Sequence, residues 1–103
     1  MTESEFNKLA DETLARIERA LDEADADIDC ELNGGVLELS FENGSKIIVN
    51  RQTAAQEIWV AAKSGGYHFI WRDGAWHDTR DGTELFAALG KYASEQAGEA
   101  VSF

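Results

Sequence analysis

The residues DIDCELNGGVLELSF, Asp27 to Phe41, decide the fold. Polar and apolar side chains alternate on both sides of Asn33-Gly34-Gly35, which is strand spacing around a tight hairpin turn. On the first limb Ile28, Cys30 and Leu32 are expected to face a core, with Asp27, Asp29 and Glu31 facing solvent. On the second limb Leu37, Leu39 and Phe41 take the inner side. A hairpin with one apolar face needs a second layer to cover it.

Toward the N-terminus the period changes. From about Ser4 to Ala24, Phe6, Leu9, Ala10, Thr13, Leu14, Ile17, Ala20, Leu21 and Ala24 recur at i, i+3 and i+4, one helical stripe. Ser4 is the expected N-cap, with Glu3 and Glu5 at the positive end of the helix dipole. At about 100° per residue, Asp11, Glu18 and Asp22 fall within roughly 40° of one another, beside the stripe. No Lys or Arg of the helix shares that line. Glu5, Glu12 and Glu23 lie on the other flank, where Arg16 and Arg19 are expected to pair with them.

Beyond the hairpin, Asn43-Gly44 predicts a second turn and Ser45 to Asn50 a third strand, with Ile47 and Val49 inward. Gln56 to Ala62 reads as a fourth strand, setting Ile58 and Val60 against the core and Trp59 toward water. Tyr67, Phe69 and Trp71 alternate on a fifth strand, and Trp76 lies on a short sixth. A last helix is expected from Thr83, its N-cap, to Ala97, with Gly98 as the stop. The fold class is α+β: a two-layer α/β sandwich, N- and C-terminal helices packed on one face of an antiparallel sheet of about six strands. Residues 1–103 form a single domain. The other sheet face stays wet and carries Glu38, Ser40, Lys46, Asn50, Trp59, His68 and Arg72.

The formal net charge is −11, and it is localised. Residues 1–31 hold eleven acids and three bases; the other 72 hold nine acids and six bases. Such a surface repels nucleic acid and anionic membrane, and attracts metal cations or a basic protein patch. It should also keep the protein monomeric in the absence of metal. No apolar run approaches a membrane span, and the start, MTESEFNK, has neither a signal-peptide nor a transit-peptide pattern. One cysteine permits no internal disulfide, which fits the cytoplasm.

Catalytic signatures are sparse. The Gly pairs sit in hairpin turns, not in a phosphate loop. Cys30 reads as a packing residue, and His68 and His77 as surface residues without ligand spacing. The sequence suggests no nucleophile–base pair and no catalytic residue, and a conventional enzyme is disfavoured. Carboxylates on a helix flank and a strand edge would offer one or two oxygens per ion, which suits hard cations held weakly. Docking of a basic partner is the stronger inference from the same surface. Trp59 is a second candidate contact, an aromatic residue on a flat sheet face.

Several segments together resemble the frataxin family, and in particular its bacterial branch: residues 27–36 (DIDCELNGGV), 41–48 (FENGSKII), 50–52 (NRQ), 58–59 (IW), 65–69 (GGYHF) and 96–99 (QAGE). The resemblance covers essentially the whole chain. It implies an α/β sandwich and an iron-binding protein that takes part in and regulates iron–sulfur cluster assembly. The iron, Fe2+ or Fe3+, would be weakly bound, with no organic cofactor. The implied partners are the cysteine desulfurase and the iron–sulfur scaffold protein. By position, the family's acidic ridge matches Asp11, Glu12, Glu18, Asp22, Glu23, Asp25, Asp27, Asp29 and Glu31. Its partner contacts match Asn50, Gln52 and Trp59, with Asp22 and Asp25 joining them from the ridge. Ferroxidase or iron-storage activity at the ridge is the alternative. Two residues depart from the family pattern: Ala54 stands where Pro is common, and Glu57 where Gln is common. Glu57 places an additional carboxylate beside Trp59.

Overall fold

A computed structural model describes residues 1–24 and 26–103. Helix α1 spans Glu3–Glu23. Six strands follow: β1 (Ile28–Asn33), β2 (Val36–Phe41), β3 (Lys46–Gln52), β4 (Glu57–Ala62), β5 (Gly65–Arg72) and β6 (Ala75–Asp78). Helix α2 spans Leu85–Ala97. The strands pair in sequence order, β1-β2-β3-β4-β5-β6, every pair antiparallel. Both helices cover one face, as the patterning requires.

The turns follow from residues that tolerate positive φ. Gly34 and Gly35 sit at φ 55° and 84° and close β1 onto β2, so that Asn33 pairs with Val36. Asp73 and Gly74, at 52° and 80°, do the same between β5 and β6. Gly35 has a second role. A Cβ there would meet Arg51 Nε at 2.6 Å, so the missing side chain lets Arg51 cross the turn.

The inner face packs Leu37, Leu39, Ile47, Val49, Ile58, Val60 and Phe69 against Phe6, Leu14 and Ile17 of α1 and Leu85 and Leu89 of α2. Leu32 departs from expectation: it shares the inner face with Leu37 but remains 38% exposed. It lies next to the last residue of an edge strand, where no further strand flanks it. Trp76 anchors α1 to β6. Its Nε1–H donates to Thr13 Oγ1 at 2.9 Å, and Thr13 Oγ1–H donates in turn to the Leu9 carbonyl at 2.8 Å. Gln96 ties α2 to two turns. Its Oε1 accepts from the Lys63 N–H, and its Nε2 donates to Ser45 Oγ and the Lys46 carbonyl.

Both N-caps differ from the sequence reading. Thr2, not Ser4, caps α1 in a reciprocal capping box: the Glu5 N–H donates to Thr2 Oγ1 and the Thr2 N–H donates to Glu5 Oε1. Those contacts hold the Glu5 carboxyl below its usual pKa. Glu84, not Thr83, caps α2, accepting from the N–H groups of Phe86 and Ala87. Gly98 ends α2 in the left-handed conformation, as expected.

Candidate functional site

Helix α1 packs nearest β1, so the acidic flank of the helix adjoins the acidic edge strand. Glu18 and Asp22 on α1 are near enough to Cys30 for their charges to act on its thiol. Half-burial, and then the negative charge of Glu18 and Asp22, push the Cys30 thiol up to about 11. The raised pKa keeps the thiol protonated at neutral pH and makes it a poor nucleophile, in keeping with a packing role.

The flank is not uniformly unpaired. Asp11 accepts from Arg51 Nη1 at 2.7 Å. Arg51 comes from β3, forty residues away, and reaches the helix through the gap at Gly35. The expected pairing on the opposite flank also changes. Among the described residues the ion pairs of Lys or Arg with a carboxylate are Lys46–Glu38 and Arg51–Asp11, while His68 Nδ1 lies 3.3 Å from Glu57 Oε1. Arg16 instead places its guanidinium over the Phe86 ring, 4.6 Å from the centroid. Arg16, Arg19 and Glu23 line a separate hollow of about 460 Å³ with Trp71 and Phe86, away from the β1 edge. Glu12 is exposed on α1.

On the strand, Asp29 and Glu31 lie on the outer sheet face, opposite Ser40 and Glu38. Glu31 and Glu38 would repel as a direct cross-strand pair. Lys46 relieves this: its Nζ lies 2.6 Å from Glu38 Oε1, and the two glutamates raise the lysine's pKa. Asp27 and Asp29 line a shallow hollow of about 320 Å³ with Ser40, Phe41 and Glu42. Glu42 is a carboxylate that strand patterning missed. The Ile28–Phe41 register places it across from Asp27. Asp25, named as a ridge and contact residue, lies outside the described residues. Among the described residues no three His, Cys, Asp or Glu side chains converge to hold a metal ion. What the ridge offers is a line of surface carboxylates, Glu18 half-buried among them, each able to supply one or two oxygens to a hard cation whose shell water completes.

The outer face carries the aromatic candidate. Register sets Val36, Asn50, Trp59 and His68 in one row across four strands, with Gln52, Glu57 and Ile70 in the next. Asn50, Gln52 and Trp59 are thus brought together. Asp22 stands apart on α1, beyond the β1 edge. At about 4.8 Å per strand, Trp59 on β4 lies roughly 14 Å across the sheet from that edge. A partner touching both must wrap over β1 and β2. Trp59 itself is half-buried. Its Nε1–H donates to Glu57 Oε1 at 2.6 Å, and its ring stacks on His68.

No helix among the described residues is long and apolar enough to cross a membrane. Comparison with known proteins adds independent findings. Residues 1–99 match the model of the frataxin-like domain. The chain is 62% identical over 101 residues to the protein named iron-sulfur cluster assembly protein CyaY of Paraburkholderia phymatum, covering 98% of this chain and 96% of the relative. It is 58% identical over 102 residues to the protein of the same name from Dechloromonas aromatica, covering 98% and 97%. Among solved structures, frataxin from Psychromonas ingrahamii superposes with a TM-score of 0.93 at 38% identity, over 99% of this chain and 97% of that one. Trimeric frataxin from Saccharomyces cerevisiae, complexed with ferrous iron, superposes with a TM-score of 0.71 at 26% identity, over 96% and 88%.

Proposed function

The chain belongs to the frataxin-like family, and from that premise we propose that it binds iron as cargo and takes part in and regulates iron–sulfur cluster assembly, docking on the cysteine desulfurase and scaffold proteins. The observation that carries this reading is the continuity of the acidic surface. Glu18 and Asp22 lie on α1, which packs nearest the β1 edge, and Asp27, Asp29 and Glu31 continue the charge along that edge and onto the outer sheet face. The donors fit the cargo: exposed carboxylates hold a hard cation weakly and release it readily. The same charges steer a basic partner and speed its encounter. In this role the protein acts as an adaptor with no catalytic group of its own, in the cytoplasm.

The test is charge reversal on both halves of the surface, Asp22→Lys with Asp29→Lys. Both side chains are exposed, so the variant keeps the wild-type melting temperature. Binding to a purified desulfurase–scaffold complex should be lost at moderate salt. Undiminished binding by a folded variant would reject the docking role.

A further inference from the structure

Glu57, Trp59 and His68 form a closed set of contacts on the outer sheet face. The indole Nε1–H donates to Glu57 Oε1 at 2.6 Å, and that oxygen lies 3.3 Å from His68 Nδ1. The imidazole stacks on the indole, 4.5 Å between centroids and 11° between planes. Register brings the three residues within reach, because Trp59 pairs directly with His68 and Glu57 stands one row along on the same strand, and their rotamers close the contacts. Asn50 and Gln52, the β3 neighbours of Trp59 and Glu57, are uncharged, so Glu57 supplies the negative charge in this patch.

We propose that Glu57 and His68 are positioning residues for Trp59, and that the platform they build fits a partner's arginine. One face of the indole is covered by His68, and its polar edge is turned to Glu57. The opposite face is left toward Asn50, the next residue of the row. The surface offered is therefore an aromatic plane beside a carboxylate, not a free hydrogen-bond donor. A guanidinium matches both features: it stacks on an indole and forms planar, charge-assisted bonds to a carboxylate. An ammonium lacks the planar surface that stacks on the indole while an edge N–H reaches the carboxylate. The positioning half stands on the contacts alone. The partner half rests on the sheet face being the docking surface proposed above.

The three tryptophans give three indole N–H signals in a proton–nitrogen correlation spectrum, and Trp59→Phe assigns one of them. In Glu57→Ala the Trp59 signal moves and its exchange with solvent speeds by about tenfold, roughly a 1.4 kcal/mol loss of protection. Glu57→Gln, which keeps an acceptor oxygen, restores most of the protection. The Trp71 and Trp76 signals stay in place. An unmoved Trp59 signal in Glu57→Ala overturns the positioning role, whatever any partner does. An arginine peptide added to the wild type shifts the Trp59 signal more than a lysine peptide of equal charge; an equal response overturns the guanidinium assignment. With the desulfurase–scaffold complex, Glu57→Ala weakens binding by about tenfold. Wild-type-like binding by that variant overturns the partner half, whereas failure of the wild type to bind rejects the proposed function and leaves the spectral result standing.

Discussion

Replacing Thr13 by Val is expected to destabilise the protein although it keeps the shape of the side chain. Thr13 and Trp76 are 3% and 2% exposed. The Trp76 Nε1–H has Thr13 Oγ1 as its acceptor at 2.9 Å, and water cannot replace it at that depth. Valine removes the oxygen and strands the N–H, which costs about 1–3 kcal/mol. Helix propensity does not confuse the result, since Thr and Val rank together. For a domain of this size each kcal/mol lowers the melting temperature by about 4–8 °C, so a fall of roughly 5–20 °C is expected. Urea unfolding should move the midpoint and leave the slope unchanged. Thr13→Ser is the control: it keeps the acceptor, loses one methyl group, and should cost about 1 kcal/mol or less. If Thr13→Val is as stable as wild type, or more stable than Thr13→Ser, the bond does not hold α1 to β6 as described.

Cys30 should react with iodoacetamide at pH 8 at least about 100-fold more slowly than in the unfolded chain, because its thiol is pushed up to about 11. Neutralising Glu18 and Asp22 as Gln and Asn should speed that reaction, and an unchanged rate would place those charges elsewhere. The folded thiol keeps its proton where the unfolded one has lost it, so this group's effect is a loss of stability as pH rises from roughly 8.5 toward about 11, measurable by urea unfolding. Gly35→Ala should cost about 1–3 kcal/mol from its φ of 84° and also displace Arg51 from Asp11, whereas Gly34→Ala, with open space around it, incurs strain alone; melting curves of the two separate the terms. Gln96→Leu should cost at least about 1–3 kcal/mol by leaving the Lys63 N–H without its acceptor, and unchanged thermal stability would argue against this tie.

What proved legible was what depends on neighbours in sequence. The hairpin of residues 27–41 could be read because period two and a Gly-Gly turn specify strand, face and register together. The stripe of α1 and the stop at Gly98 were equally local. The misses are the contacts that need the tertiary fold. A helical wheel shows Asp11 without a base because it cannot contain Arg51. It shows Arg16 beside Glu12 because it cannot contain Phe86. Leu32 follows the core pattern, yet an edge position leaves it partly exposed. Glu42 could have been placed by extending the hairpin register one residue beyond Phe41. Among the named contact residues, the grouping of Asn50, Gln52 and Trp59 follows from strand pairing. The tie from Trp59 to Glu57 and His68 does not, since a rotamer decides it.

The bond between Thr13 and Trp76 spans sixty-three residues, whereas every strand pairs with its neighbour in the chain. During synthesis the sheet can zip hairpin by hairpin as it emerges, each closure spanning a short loop. Helix α1 is made before any of it, but its anchor on β6 comes only after five strands. Until then the acidic helix can shelter its apolar stripe only against the earlier strands, and its net negative charge helps to keep such nascent chains from one another.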